Sequence, residues 1–170
     1  MKGDKEILIN KIVDSIEGYF LLGMYDEAKE EVKNLFAIDN NNVFGHYYEG
    51  LIWLEQKDYK QALRPFLRVS ELKPDMAEVY VHLAYIYRRT ENLNKAIETI
   101  KKALFSNPNL AIAHYNLSCY YAQLGKIEEV ISHLKKAISR DKNYIEMAKD
   151  DNDFEPVKRH NKFRKLIYRK

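Results

Sequence analysis

The side chains best suited to chemistry in this sequence are five histidines, one cysteine and a pair of adjacent arginines. Two imidazoles that share a metal on a helix need i, i+4 spacing. His46, His82, His114, His133 and His160 show no such pair, so they read as structural residues. Cys119 stands alone, which excludes an intrachain disulfide or a cysteine-based zinc site and fits a reducing, cytoplasmic location. No phosphate-binding glycine loop, dinucleotide fingerprint or nucleophile elbow occurs, and no nucleophile, base and oxyanion donors are grouped. The expectation is no enzyme, no cofactor and no metal. Arg88 and Arg89 follow Tyr85, and adjacent guanidinium groups can grip a carboxylate or phosphate of a partner. The plainer reading is a solvated helix end, where cations favour the C-terminal dipole.

The elements that carry these residues repeat. Residues 77–110 align without a gap on 111–144, a period of 34, and stepping back gives 43–76 and 9–42. Position 8 of the four units is Ile16, Gly50, Ala84 and Ser118, mostly small, which lets two helices approach. Position 11 is always a large aromatic: Tyr19, Trp53, Tyr87 and Tyr121. Position 20 is Ala28, Ala62, Ala96 and Val130, and position 24 is Val32, Phe66, Ile100 and Leu134. Pro74 and Pro108 at position 32 stop a helix. In the third unit Tyr80, Leu83, Ala84 and Tyr87 fall on one helical face. The turn Thr90-Glu91-Asn92 follows, and Leu93, Ala96, Ile97, Ile100, Ala103 and Leu104 make a second face. Each unit is therefore helix, tight turn, helix. His46 and His114 share a column two units apart, too far to share an ion.

This pattern resembles the tetratricopeptide repeat, with its period of 34, large residue at position 11 and small ones at 8, 20 and 27. The resemblance implies an all-α, right-handed superhelical solenoid of antiparallel helix pairs, four units plus a C-terminal cap. Unit one is degenerate, with Ser15 and Ile16 at positions 7 and 8. It also implies that first helices line a concave groove, through positions 2, 5, 9, 12 and 13. Unit one then places Val13, Glu17, Phe20 and Leu21 there, and unit two Phe44, Tyr47, Leu51 and Leu54. Unit three places Tyr85, Arg88 and Arg89, and unit four Ile112, Tyr115 and Cys119. A face this apolar marks an interaction site for a protein or peptide, or is simply packed, within the chain against the degenerate first unit or its own termini, or against another copy. The family's carboxylate clamp for chaperone tails is absent, since Val13, Glu17 and Tyr48 stand where its basic and amide residues belong.

Two residues break the local rules. Glu49 stands where a core leucine is usual, and since a buried carboxylate is costly unless paired, partial exposure or a nearby Arg or Lys is expected. Pro65 lies inside a second helix, where a kink or break is expected near Gln61–Arg64. After residue 144 the sequence looks like the ending of many bacterial members of this family. A short helix near Tyr144–Lys149, an acidic turn Asp150–Pro156 and a last helix near Asn161–Tyr168 follow. Phe154, Phe163, Leu166 and Ile167 are expected to cover the open core of unit four, making 145–170 a cap of the same domain.

From Pro156 to Lys170 the chain holds Lys158, Arg159, Lys162, Arg164, Lys165, Arg169 and Lys170 and no acid. That tail suits the polar face of a capping helix, or weak nucleic-acid contact. The whole chain's net charge of +3 is too small to direct it to nucleic acid. No apolar stretch approaches the roughly 20 residues of a membrane span, and no apolar segment of signal-peptide type follows the N-terminus. The function expected is a protein-interaction adaptor that holds a partner peptide or helix in its groove. The alternatives are a self-assembling scaffold and a nucleic-acid binder acting through the tail.

Overall fold

A computed structural model describes residues 2–90 and 92–168. Glu91 of the expected turn and Arg169 and Lys170 of the basic tail lie outside the described residues. The chain divides into two compact units, Met1–Asp75 and Met76–Lys170. The first holds α1 (Lys2–Leu21), α2 (Tyr25–Ile38), α3 (Val43–Glu55) and α4 (Tyr59–Leu72). The second holds α5 (Ala77–Arg89), α6 (Leu93–Ser106), α7 (Ala111–Gln123), α8 (Ile127–Arg140) and α9 (Asn143–Asp150), then a 3-10 turn (Asn152–Val157) and α10 (Asn161–Ile167). No strand occurs among the described residues, and none of their helices is long and apolar enough to cross a membrane.

The helix ends follow from local chemistry. Asn42, Asp58 and Asn92 cap α3, α4 and α6 by accepting hydrogen bonds from backbone N–H groups of the first turn. Position 15 of each described turn is left-handed: Gly23 at φ 73°, Lys57 at 58° and Gly125 at 65°. The next amide then reaches back to the carbonyl of the position-11 aromatic, as Met24 N–H does to Tyr19, Asp58 N–H to Trp53 and Lys126 N–H to Tyr121. This closes the first helix and reverses the chain into the second.

The core follows the repeat columns. Ala28, Ala62, Ala96 and Val130 are fully buried, and so are Phe66, Ile100 and Leu134. The position-11 aromatics sit at the edge of this core. Lys29 lies over Trp53 at 4.1 Å and Lys95 over Tyr87 at 4.2 Å. Gly50 lets the Phe66 ring pack close to α3, since a Cβ there would stand 2.8 Å from that ring and force it to shift. Ile16 holds the same column in the degenerate unit and is fully buried.

Of the kink or break expected at Pro65, the break does not occur. Helix α4 runs uninterrupted from Tyr59 to Leu72 with Pro65 buried inside it. Proline removes one intrahelical bond, to the Gln61 carbonyl. The loss of that one bond is small enough for the packing of Ala62, Phe66 and Val69 to carry the helix through. Glu49 takes the first of its two expected ways out, partial exposure, and its neighbour is a histidine rather than an Arg or Lys. Its side chain is 36% exposed, 3.6 Å from His46 Nδ1, and lines an open cavity of about 750 Å³ together with Pro65 and Arg64.

Candidate functional site

In the first unit the residues assigned to the groove fall on α1 and α3. Leu21 is 75% exposed and Phe44 53%, while Val13, Phe20, Tyr47, Leu51 and Leu54 are half-buried. Tyr48 donates to the Glu17 carboxylate, and burial together with that carboxylate pushes the phenol up to about 12. Phe20 lies 5.8 Å from Tyr48, edge to face. Tyr47 stands edge-on to the fully buried Phe66 at 5.9 Å, so it supports the core as well as the surface.

In the second unit the assigned residues meet an occupant from their own chain. The 3-10 turn lies along α7. Tyr115 donates through its hydroxyl to Asp151 Oδ2 at 2.8 Å, and the Cys119 thiol reaches the same oxygen at 3.7 Å. Arg88 on α5 donates to Asp153 Oδ1 at 3.0 Å, and Gln123 Nε2 donates to the Asp153 main-chain oxygen at 2.6 Å. The Tyr115 ring stacks on Tyr144 at 4.9 Å and meets Phe154 edge-on at 5.7 Å. Tyr115 and Cys119 are consequently only 3% exposed. Burial, then the neighbouring Asp151 and Asp153 carboxylates, push the thiol well above its usual value, and the Tyr115 phenol is raised mainly by burial.

Tyr115 and Cys119 therefore need correcting as open contacts for another protein: residues of this chain already cover them. Ile112 is half-buried and Tyr85 is 42% exposed. Arg88 does grip a carboxylate, one supplied from within the chain, and Arg89 remains exposed beside it. Phe154 and Phe163 are fully buried and Ile167 nearly so, whereas Leu166 is half-buried. Part of the basic tail is neutralised, Lys162 pairing with Glu128 and Lys158 with Glu155.

Two histidine arrangements escaped the sequence reading. His46 and His114 each place Nε2 3.0 Å from the carbonyl six residues earlier, that of Asn40 and Pro108 respectively. Their common column was the signal for this shared role, a staple between a second helix's end and the next first helix. His114 Nδ1 also lies 3.0 Å from His133 Nδ1, a pair formed across α7 and α8 that single-helix spacing does not reveal. No group of three potential metal-binding side chains assembles among the described residues.

Two family models, each described as tetratricopeptide repeat, match residues 54–118 and 111–144 and together cover more than half of the chain. The chain belongs to the tetratricopeptide-repeat family. The photosystem I assembly protein Ycf3 of Synechococcus sp. is 31% identical over 93 residues, 53% of this chain and 54% of that protein. The Hsp70-Hsp90 organising protein of Plasmodium falciparum is 28% identical over 92 residues, 50% of this chain and 16% of its own length. The tetratricopeptide chain thus spans about half or less of the length of these curated relatives. A crystal structure of MamA matches with a TM-score of 0.72 at 22% identity, covering 95% of this chain and 96% of that one, a likeness that shows an all-α repeat fold.

Proposed function

We propose that this chain is a protein-interaction adaptor, without catalytic activity of its own, that holds a peptide or helix of another protein on its first helices. The observation that carries the reading is the exposed apolar surface on α1 and α3, with Leu21 75% and Phe44 53% open to solvent. With the half-buried Phe20, Tyr47, Leu51 and Leu54 they make the first helices of this unit apolar, and a large exposed apolar patch usually marks an interaction site. An amphipathic helix or extended segment offers anchors at matching intervals. The family's relatives named as assembly and organising proteins support an adaptor role for the repeat. A cytoplasmic location belongs to the same proposal, since a lone unpaired cysteine suits a reducing compartment.

Leu21→Ala combined with Phe44→Ala tests it. Neither side chain is core, so the double variant should keep its helix content and melting temperature. Affinity capture with it should lose the partners retained by the unaltered chain. Partner recovery at the unaltered level by a folded double variant would count against this surface. A mass that rises with concentration in light scattering, with no other protein captured, would assign the surface to a second copy.

A further inference from the structure

We propose that the face of α5 and α7 around Arg88 and Tyr120 is a docking site for an acidic–aromatic peptide of a partner protein. The chain's own Asp151–Phe154 segment occupies it as a replaceable stand-in. The proposal rests on the adaptor reading above and names the chemistry of the partner.

The resident segment displays what the face recognises. One carboxylate, Asp151, takes the Tyr115 hydroxyl at 2.8 Å, and a second, Asp153, takes Arg88 at 3.0 Å. The Asp153 main-chain oxygen takes Gln123 at 2.6 Å. The aromatic ring of Phe154 fills an apolar slot beside Tyr115 with no exposure left. Asp-x-Asp-Phe is thus read by two acid contacts, one backbone contact and one ring.

The segment leaves two polar groups of the face, the buried Arg88 Nε and Tyr120 hydroxyl, without a hydrogen-bond partner among the described residues. Tyr120 is only 3% exposed, and its phenol is raised by burial, with Cys119 and Asp153 adding to the effect and Arg88 opposing it. It therefore sits within electrostatic reach of the Arg88–Asp153 pair. A guanidinium is a fork, and a carboxylate seated side-on accepts from Nε and a terminal nitrogen together. The resident Asp153 accepts at one nitrogen only. Buried donors left unmet are costly, and an untethered peptide free to shift its carboxylate toward Nε and the tyrosine hydroxyl removes that cost. The stand-in is held in a 3-10 turn, whose internal hydrogen bonds are poorer than those of an α-helix. While it is in place, a partner's apparent affinity falls by the fraction of chains that are open.

The probe is a fluorescein-labelled peptide with the sequence of residues 149–157, KDDNDFEPV. It is titrated by anisotropy against the full chain. Phe154→Ala, which loosens the resident segment and leaves Arg88 and Tyr120 intact, should bind the probe at least tenfold more tightly than the unaltered chain. Adding Arg88→Ala should reverse that gain tenfold, and adding Tyr120→Phe should weaken binding about threefold. In the otherwise unaltered chain Tyr120→Phe should not lower the melting temperature, because the hydroxyl has no partner there; a purely structural tyrosine contact would lower it. A probe with asparagine in place of both Asp151 and Asp153 should not bind.

A folded Phe154→Ala chain that gains no affinity, or that binds equally well without Arg88, overturns the proposal. So does a Phe154→Ala dimer, seen by sedimentation, that excludes the probe, since the occupant is then a second copy. Should Phe154→Ala not fold, hydrogen exchange on the unaltered chain decides. Excess probe should speed exchange across residues 152–167 while α7 stays protected, and unchanged exchange overturns the proposal. Partners captured with affinities indifferent to Arg88→Ala and Tyr120→Phe would sink this inference alone. Capture of no partner by either the unaltered or the opened chain would sink the adaptor reading itself.

Discussion

A hydrogen bond between two Nδ1 atoms holds one proton, and that governs how His114 and His133 titrate. His114 Nε2 faces the Pro108 carbonyl at 3.0 Å, so it must carry hydrogen, and in the neutral ring Nδ1 is then an acceptor. The shared proton is therefore on His133 Nδ1, donated across 3.0 Å. Protonating His114 would set two N–H groups against each other. Burial first, then His114, Lys136 and Lys101, hold His133 down at about 4, with Glu129 opposing; burial, Lys136 and Arg140 lower His114, with the Pro108 carbonyl opposing. An unfolded histidine takes its proton near pH 6.5. The depressed folded value means that the unfolded chain binds more protons between those limits, so stability is fully present above pH 6.5 and is lost as pH falls toward 4. The melting temperature should drop more steeply between pH 6.5 and 4 for the unaltered chain than for His133→Gln, and equal slopes would refute the coupling. The residues themselves were plain in the sequence. Their partnership was not, because it forms between antiparallel helices and depends on which faces meet.

At the scale of elements, the most legible features were those enforced by sterics. The columns of mostly small residues that tile residues 9–144 coincide with fully buried positions, where paired helices approach closely, and the larger Ile16 and Val130 are accommodated only in the outer units. Gly50→Ala should accordingly cost about 1–3 kcal/mol by overpacking, because its new Cβ would stand 2.8 Å from the Phe66 ring. Chemical denaturation would measure this, and an unchanged midpoint would show that Phe66 can yield. Turn chemistry was only half legible. Glycines at 23 and 125 signal the left-handed position, but Lys57 occupies the same place at φ 58° and carries no such signal. Lys57→Gly should relieve that strain and stabilise the chain by about 0.5–1 kcal/mol net of the added freedom when unfolded. A lower denaturation midpoint would show that the lysine earns its place by contacts. A break at Pro65 does not form because the buried side chains Ala62, Phe66 and Val69 hold α4 together on both sides of the missing N–H, and that packing is not visible in a local propensity.

For the molecule as a whole, the repeat period led from sequence to the all-α fold, whereas the destination of the last 26 residues could not be read from it. Their capping character was visible in Phe154, Phe163 and Ile167, all now buried. Nothing in the linear order told that Asp151 and Asp153 would be delivered onto Tyr115, Cys119 and Arg88, which the family pattern assigns to open surface. That outcome depends on a tight 3-10 turn between α9 and α10, and so on a few backbone dihedrals rather than on any periodicity. The lone cysteine makes the arrangement measurable. Thiolate is the reactive form, and Cys119 is 3% exposed with its thiol held well above the usual range by burial and the two aspartates. The native chain should thus react with a disulfide reagent at pH 8 only through opening of the covering segment or global unfolding. Phe154→Ala removes a fully buried ring, at a cost of roughly 3–5 kcal/mol if the site cannot collapse. Because Phe154 belongs to the covering segment, that loss should be felt first as local opening rather than as loss of the helix pairs. At a temperature where circular dichroism shows the variant still helical, Cys119 should be modified at least tenfold faster than in the unaltered chain. A folded variant whose cysteine stays as protected as before would show that α7 is shielded by something other than the segment that ends at Val157.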